Sequence, residues 1–168
     1  MTFPAGAKIR ADEINEAFGL LAMAVNDTAV TNSTTAVSAA GLVLPLEADT
    51  QYVLDGYIAY SAGAAGDMQI RLHEPIGGWA GHWNFFGLQP GAINSVGELN
   101  AVTIGGFGSL LLLAGSDAFG GTLAARLLGF VATDENAGNL TVQFAQGASS
   151  GTPTVIRAGS WIRARKAS

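Results

Sequence analysis

The sequence predicts an all-β fold, an antiparallel jelly-roll sandwich led by a short N-terminal helical arm. Three observations predict it. From about residue 31 onward apolar and polar residues alternate with period two, which puts one set of side chains on each face of a strand. Glycine is abundant, 23 residues in 168, and it punctuates these runs without a Gly-X-Y period. No β-α-β alternation separates the runs, so a parallel sheet is not expected.

The first thirty residues follow a different pattern. A turn-like lead, Thr2-Phe3-Pro4-Ala5-Gly6, is followed by Ile14, Phe18, Leu21 and Val25 at i, i+4, i+7 and i+11. That spacing is a single stripe along an α-helix. Asp12 and Glu13 fall in its first turn, where the helix dipole favours carboxylates. Gly19 inside it costs about 1 kcal/mol relative to Ala, and Asn26-Asp27 marks its end. One short helix is marginal in water, so the stripe has to pack on something, either its own domain or a neighbouring protein. The chain therefore divides into an arm over residues 1–30 and a sandwich over residues 31–168.

Within the sandwich, Leu42-Val43-Leu44-Pro45-Leu46 is a short apolar run whose proline suits an edge strand or a strand end. Residues 51–61 put Tyr52, Leu54, Gly56, Ile58 and Tyr60 on one face and Val53, Asp55, Tyr57 and Ala59 on the other. After a turn at 62–66, Met68, Ile70 and Leu72 face in, with Gln69, Arg71 and His73 out. Two such runs joined by a glycine-containing loop read as a hairpin. Between 74 and 121 the pattern is sparser. Strand candidates at 81–88, 99–104 and 109–114 surround the turns Pro75-Ile76-Gly77-Gly78 and Pro90-Gly91 and the break Gly105-Gly106-Phe107-Gly108. Residues 122–133 alternate again, Leu123, Ala125, Leu127, Gly129 and Val131 against Arg126, Leu128 and Phe130. Leu140, Val142 and Phe144 face in, and residues 154–165 close the chain with Trp161 near the middle of that strand. The total is roughly eight to ten strands.

Composition narrows the function. Charged residues are 12% of the chain, about half the usual share of about 25%, while hydrophobic residues are 49%. A mean hydropathy of +0.33 is high for a 17.1 kDa soluble monomer, and burial of surface against other chains resolves it most simply. The net charge of −5 offers no broad field for phosphate backbones, so no nucleic-acid partner is expected. No apolar stretch approaches the roughly 20 residues of a membrane span, so no membrane role is expected either. Asp12, Glu13 and Glu16 fall where the apolar part of a secretory signal would begin. The absence of cysteine excludes disulfides, thiolate zinc sites and thiol catalysis.

No constellation of catalytic residues stands out. His73, Glu74 and His82 do not have the spacing of a metal site, so no metal and no cofactor are expected. There is no G-x-S-x-G nucleophile turn, and Gly105-Gly106-Phe107-Gly108 lacks the lysine and spacing of a phosphate-binding loop. Asp55 is the one carboxylate in the middle of a strand and must find a partner or an interface. Arg157, Arg163, Arg165 and Lys166 are half of the eight basic residues. Arg163 and Arg165 share a strand face with Trp161. That pattern suits pairing with acids of a neighbouring subunit, supported by cation–π contact, better than it suits single-stranded nucleic acid.

Several segments carry a family resemblance. They are Tyr52-Val53-Leu54-Asp55-Gly56-Tyr57-Ile58-Ala59-Tyr60-Ser61 leading into Gly66-Asp67-Met68-Gln69-Ile70-Arg71, then Arg126-Leu127-Leu128-Gly129-Phe130-Val131, Gly138-Asn139-Leu140-Thr141-Val142-Gln143-Phe144-Ala145-Gln146, and the close from Thr154-Val155-Ile156-Arg157 to Trp161-Ile162-Arg163-Ala164-Arg165. Together these resemble small virion proteins of tailed phages that infect actinobacteria, whose folds resemble the trimeric C1q/tumour-necrosis-factor jelly rolls. The opening from Phe3 to Asn15 resembles a lead segment of phage structural proteins. The resemblance implies a homotrimer packed about a threefold axis, with the N-terminal segments docked on the particle. On that reading Phe3, Ile9, Ile14, Phe18 and Leu21 contact the major capsid protein. Tyr52, Tyr57, Tyr60, Trp161 and Arg163 line the trimer interface, since aromatics are enriched there. The implied role is a capsid decoration protein on the head surface of the virion, assembled in the host cytoplasm. A tail-fibre or baseplate part is the alternative, as is a module binding a host surface glycan through Trp79, His82 and Trp83. An enzyme is not expected.

Overall fold

The computed structural model describes residues 18–75, 77–88, 99–100, 104–105, 107–116 and 122–167. Phe3, Ile9 and Ile14 lie outside them. Two antiparallel sheets face each other. The smaller has the order β3 (Val37–Leu46), β11 (Gly138–Ala145), β5 (Met68–His73), β9 (Leu111–Leu113). The larger runs β1 (Leu20–Met23), β13 (Trp161–Lys166), β4 (Gln51–Ser61), β10 (Leu123–Ala132), β6 (Ala80–Leu88), with β7 (Leu99–Asn100) and β8 (Ile104–Gly105) against β6. β12 (Thr154–Ile156) pairs with β2 (Thr28–Val30) and with the end of β4.

The two orders β1-β13-β4-β10 and β3-β11-β5-β9 are the interleaving of a jelly roll, in which each sheet takes alternate pieces of a chain folded back on itself. The predicted sandwich is therefore observed. Its core is the inward set of the alternation. Tyr52, Leu54, Ile58 and Tyr60 from β4 join Met68, Ile70 and Leu72 from β5 and Leu140, Val142 and Phe144 from β11, all essentially without solvent exposure. Pro45 lies on β3, an edge strand of the smaller sheet, where its missing N–H is tolerated.

Three local expectations are corrected. Helical backbone among the described residues is confined to Phe18, and Leu20–Met23 is a strand, not the second half of a helical stripe. The run Leu20-Leu21-Ala22-Met23 also fits period two, with Ala22 inward and Leu21 and Met23 outward. The open side of β13 offers it a ladder, Leu20 opposite Ala164 through Met23 opposite Trp161. Gly19 makes the entry possible: its φ is +78° and a Cβ there would run into the carbonyl oxygen of Ala164. Since β1 and β2 both belong to the larger sheet, only the chain upstream of residue 20 is left for an arm.

β4 and β5 do not form a hairpin but lie in different sheets. Both carry a wholly buried apolar set, and the connection at 62–67 arches across the edge of the core. Gly66 and Asp67 both donate to the carbonyl of Gly63, at 2.9 and 3.0 Å, and Asp67 has φ +47°. Finally, the closing strand is two strands, β12 and β13, broken where Gly159 takes φ +85°.

Loops at one end are gathered by a buried neutral side chain. Gln146 is fully buried. Its Oε1 accepts from Ser33 N and Ser150 N, both at 3.1 Å, and its Nε2 donates to the carbonyls of Ser150 at 3.0 Å and Thr152 at 2.8 Å. Replacing it by Leu removes all four bonds, each contributing about 1 kcal/mol net, and the half-buried or exposed loop groups recover part of that with water. Gln146→Leu is expected to lower unfolding stability by about 3 kcal/mol after partial relaxation. Urea denaturation checks this; a loss below about 1 kcal/mol would mean the loops are held elsewhere.

Candidate functional site

The outward residues of the larger sheet form rows, because paired strands bring same-face residues side by side. One row is Met23, Trp161, Tyr57, Arg126 and Phe86. The next is Leu21, Arg163, Asp55, Leu128 and Asn84, and a third holds Arg165, Val53, Phe130 and His82. With strands about 4.8 Å apart and rows about 6.8 Å apart, the face measures on the order of 24 Å by 20 Å. Its exposed part is rich in large apolar side chains, while Asn84 at the β6 end is buried. Leu21, Met23, Val53, Tyr57, Leu128 and Phe130 are between 36% and 60% exposed.

A single ion pair sits in the middle of this face. Arg163 grips Asp55 with both arms of its fork, Nε to Oδ1 at 3.0 Å and Nη2 to Oδ2 at 2.7 Å. Its guanidinium carbon also stands 5.9 Å from the centre of the Trp161 ring. An exposed cation–π contact of this kind contributes about 0.5 kcal/mol. The carboxylate that had to find a partner has found one on the adjacent strand.

The outer face of the smaller sheet is different. Thr141 lies between Val43 and His73, Gln143 between Ser38 and Arg71, and Gln69 beside Leu112. Arg71 donates to Gln143 Oε1 through Nε at 2.9 Å and Nη2 at 2.6 Å. The two outer faces thus differ in degree: the smaller sheet sets exposed Val43 and Leu112 beside Thr141 and Gln69, whereas the larger sheet exposes more and larger apolar side chains around its charges.

Tyr57, Trp161 and Arg163, expected at an interface, are brought together on the apolar face, and Trp161 lies directly opposite Tyr57. Tyr52 and Tyr60 are not available there. They share the inward parity of Leu54 and Ile58 and are buried in their own domain. The Tyr52 hydroxyl accepts from Glu47 N at 3.0 Å, and the Tyr60 hydroxyl donates to the carbonyl of Ala114 at 2.9 Å. Burial pushes the Tyr60 phenol well above its ordinary range. Of the docking candidates, Phe18 is 68% exposed just before β1, whereas Leu21 stands beside Arg163 on the sheet face. Sequence reasoning passed over Leu128, Phe130, Val53 and Met23. The signal for the first three was present, since the alternation already put them outward.

The glycan and metal candidates are not assembled. Trp79 and Trp83 are buried, with Trp79 edge-on to Phe107 and Trp83 edge-on to Phe85, so neither offers an open aromatic platform. His73 is on the smaller sheet and His82 on the larger one.

Three of the four C-terminal cations pair within the chain. Besides Arg163 with Asp55, Arg157 meets Asp27 at 2.8 Å and Lys166 meets Glu47 at 2.9 Å. Arg126 and Arg165 have no hydrogen-bond or ion-pair partner among the described residues, and both stand on the apolar face.

No protein-family model matches the chain, and no curated protein sequence does. Solved structures with a weak likeness include two of infectious bursal disease virus. For the Gt strain the identity is 8% and the TM-score 0.20, over 88% of this chain and 42% of that one. For the Gx strain they are 10% and 0.25, over 89% and 41%. The chain thus spans about two-fifths of the length of either. At these values the likeness carries no functional inference.

Asp27 lies off this face, in the loop between β1 and β2. Its carboxylate accepts from Ala158 N at 2.8 Å and from Arg157, which ties the end of β1 to the loop before β13. The backbone bond from Ala158, followed by the Arg157 side chain, holds its pKa below the ordinary 3.8. A depressed folded-state pKa contributes stability that is whole above the unfolded value and is lost as the pH falls through the folded one. Between about pH 5 and pH 3, Asp27→Asn is expected to lose less stability than the parent protein. Thermal melts across that range check it, and parallel acid limbs would refute it.

Proposed function

We propose that the chain is a virion structural protein: a homotrimeric decoration protein on the head of a phage, held to the major capsid protein by its N-terminal segment. One observation carries the reading, the contrast between the two outer faces of the sandwich. A strand face that carries Tyr57, Trp161, Leu128 and Phe130 in the open is costly to leave in water, because apolar surface contributes about 25 cal/mol per Å² on burial. Stable partners cover such patches. The low charge content supports the same reading, as does the resemblance carried by the strand segments. Phe18, 68% exposed at the start of the described chain, supports a docking segment upstream of the sheet. The protein's work is adhesion, in which three weak contacts on one trimer act together as a durable one.

Light scattering on the purified protein is expected to give the mass of a trimer. Leu128→Glu or Tyr57→Lys, each placing a charge on the covered face, is expected to release monomers with an unchanged circular dichroism spectrum. A parent protein that is monomeric at micromolar concentration would end the reading. The arm is tested separately. Removing residues 2–17 spares β1 and is expected to leave a trimer that no longer binds capsids. Full-strength binding by that truncation would remove the arm from the proposal. Images of particles with copies on the tail alone would move the protein off the head.

A further inference from the structure

If copies of this chain cover the apolar face, the Asp55–Arg163 pair lies within the contact. That placement goes beyond the trimer reading, on which it rests. The face has four charges: Asp55 and Arg163 in the middle row, Arg126 in the first and Arg165 in the third. The two unpartnered guanidiniums belong to the outer rows, where long side chains can keep their heads in water. The two charges of the centre close on each other within one protomer, with side chains 33% and 16% exposed. The face as a whole holds three arginines against one aspartate on a chain of net charge −5, so a neighbouring copy, acidic overall, complements it in a head-to-tail ring. The size also fits. A patch on the order of 24 Å by 20 Å is commensurate with the roughly 800 Å² of accessible surface that each partner buries in a standard interface.

We infer that the occupant of this face is a second copy of the chain, and that the Asp55–Arg163 pair fixes how the copies register against each other. The physical reason is an asymmetry of costs. Leu, Val, Phe and Tyr side chains slide over one another with little penalty, so an apolar face alone specifies association but not one geometry. A bidentate pair has further lone pairs and N–H groups that must stay satisfied when water leaves. Geometries that cap them badly are excluded, and one arrangement is selected from many.

The test uses the full chain, and its readouts are the dissociation constant and the distribution of oligomers in native mass spectrometry. Asp55→Asn leaves Arg163 uncompensated in the contact and is expected to weaken association at least tenfold. The double variant Asp55→Leu/Arg163→Met makes the centre wholly apolar. It is expected to associate at least as tightly as the parent, but as a mixture of oligomers in place of one. Arg163→Lys keeps the charge and loses the fork, and is expected to broaden the distribution as well. It covers the case in which Asp55→Asn fails to fold. A single sharp trimer from the double variant or from Arg163→Lys, or unchanged affinity in a folded Asp55→Asn, overturns the inference. Leu128→Glu separates the two ideas. If it leaves association intact, the face is not the contact and the inference falls while the trimer stands. If it dissociates the copies while the Asp55 and Arg163 variants behave like the parent, only the register role falls.

Discussion

A two-layer sandwich has one interior, and β4 has two apolar faces. Tyr52, Leu54, Ile58 and Tyr60 fill the space between the sheets, which leaves Val53 and Tyr57 pointing away from it. β10 repeats the conflict with Leu127 and Val131 inside and Leu128 and Phe130 outside. Because alternation is strict, turning either strand over would expose one apolar set to bury the other. The fold therefore resolves only half of the hydrophobic demand its sequence makes. The remainder is displayed mostly on the outer face of the larger sheet, while the smaller sheet exposes fewer apolar side chains, Val43 and Leu112 standing beside Thr141 and Gln69.

Much of this was legible in the residues. Period two at 51–61, 68–73, 123–131 and 140–144 identified the inward sets of four strands, and Asp55 on an outward face announced its need of a partner. What was not legible has physical causes. The stretch Phe18 to Val25 fits both a helical stripe and a strand, and the choice was made by the open edge of β13, which lies more than a hundred residues away in sequence. The turn after β4 has the composition of a hairpin loop, yet loop composition says that the chain reverses and not which sheet receives it. Tyr52, Tyr57 and Tyr60 were assigned together to one interface although parity places the first and last opposite the second. Alternation within the strand was the stronger signal than residue type.

The scarcity of charge shapes the rest of the molecule. Its long-range ties are mostly neutral: Gln146 to two loops, Tyr60 to Ala114, and Ser160, whose Oγ accepts from Ala59 N at 3.0 Å while donating to the carbonyl of Arg157 at 2.8 Å. Neutral hydrogen bonds are insensitive to salt and to most of the pH scale, whereas exposed ion pairs weaken as ionic strength rises. The three ion pairs all bind the last strands or the loop before them to the body of the fold, at Asp27, Glu47 and Asp55. Elsewhere among the described residues charged groups bond to neutral ones, as Glu74 accepts from Trp79 N and Asp67 from Gly115 N.

The junction at Gly19 has a mechanical meaning. Its backbone is held against Ala164, and the next four residues are laced to β13 from Leu20 to Met23. A pull on the leader is not absorbed by a slack hinge. It is delivered at once to a short ladder whose bonds lie across the strand axis. Traction along the strand loads those bonds together, while traction sideways opens them one after another. The strength of any tether made from the leader thus depends on the direction from which it is drawn.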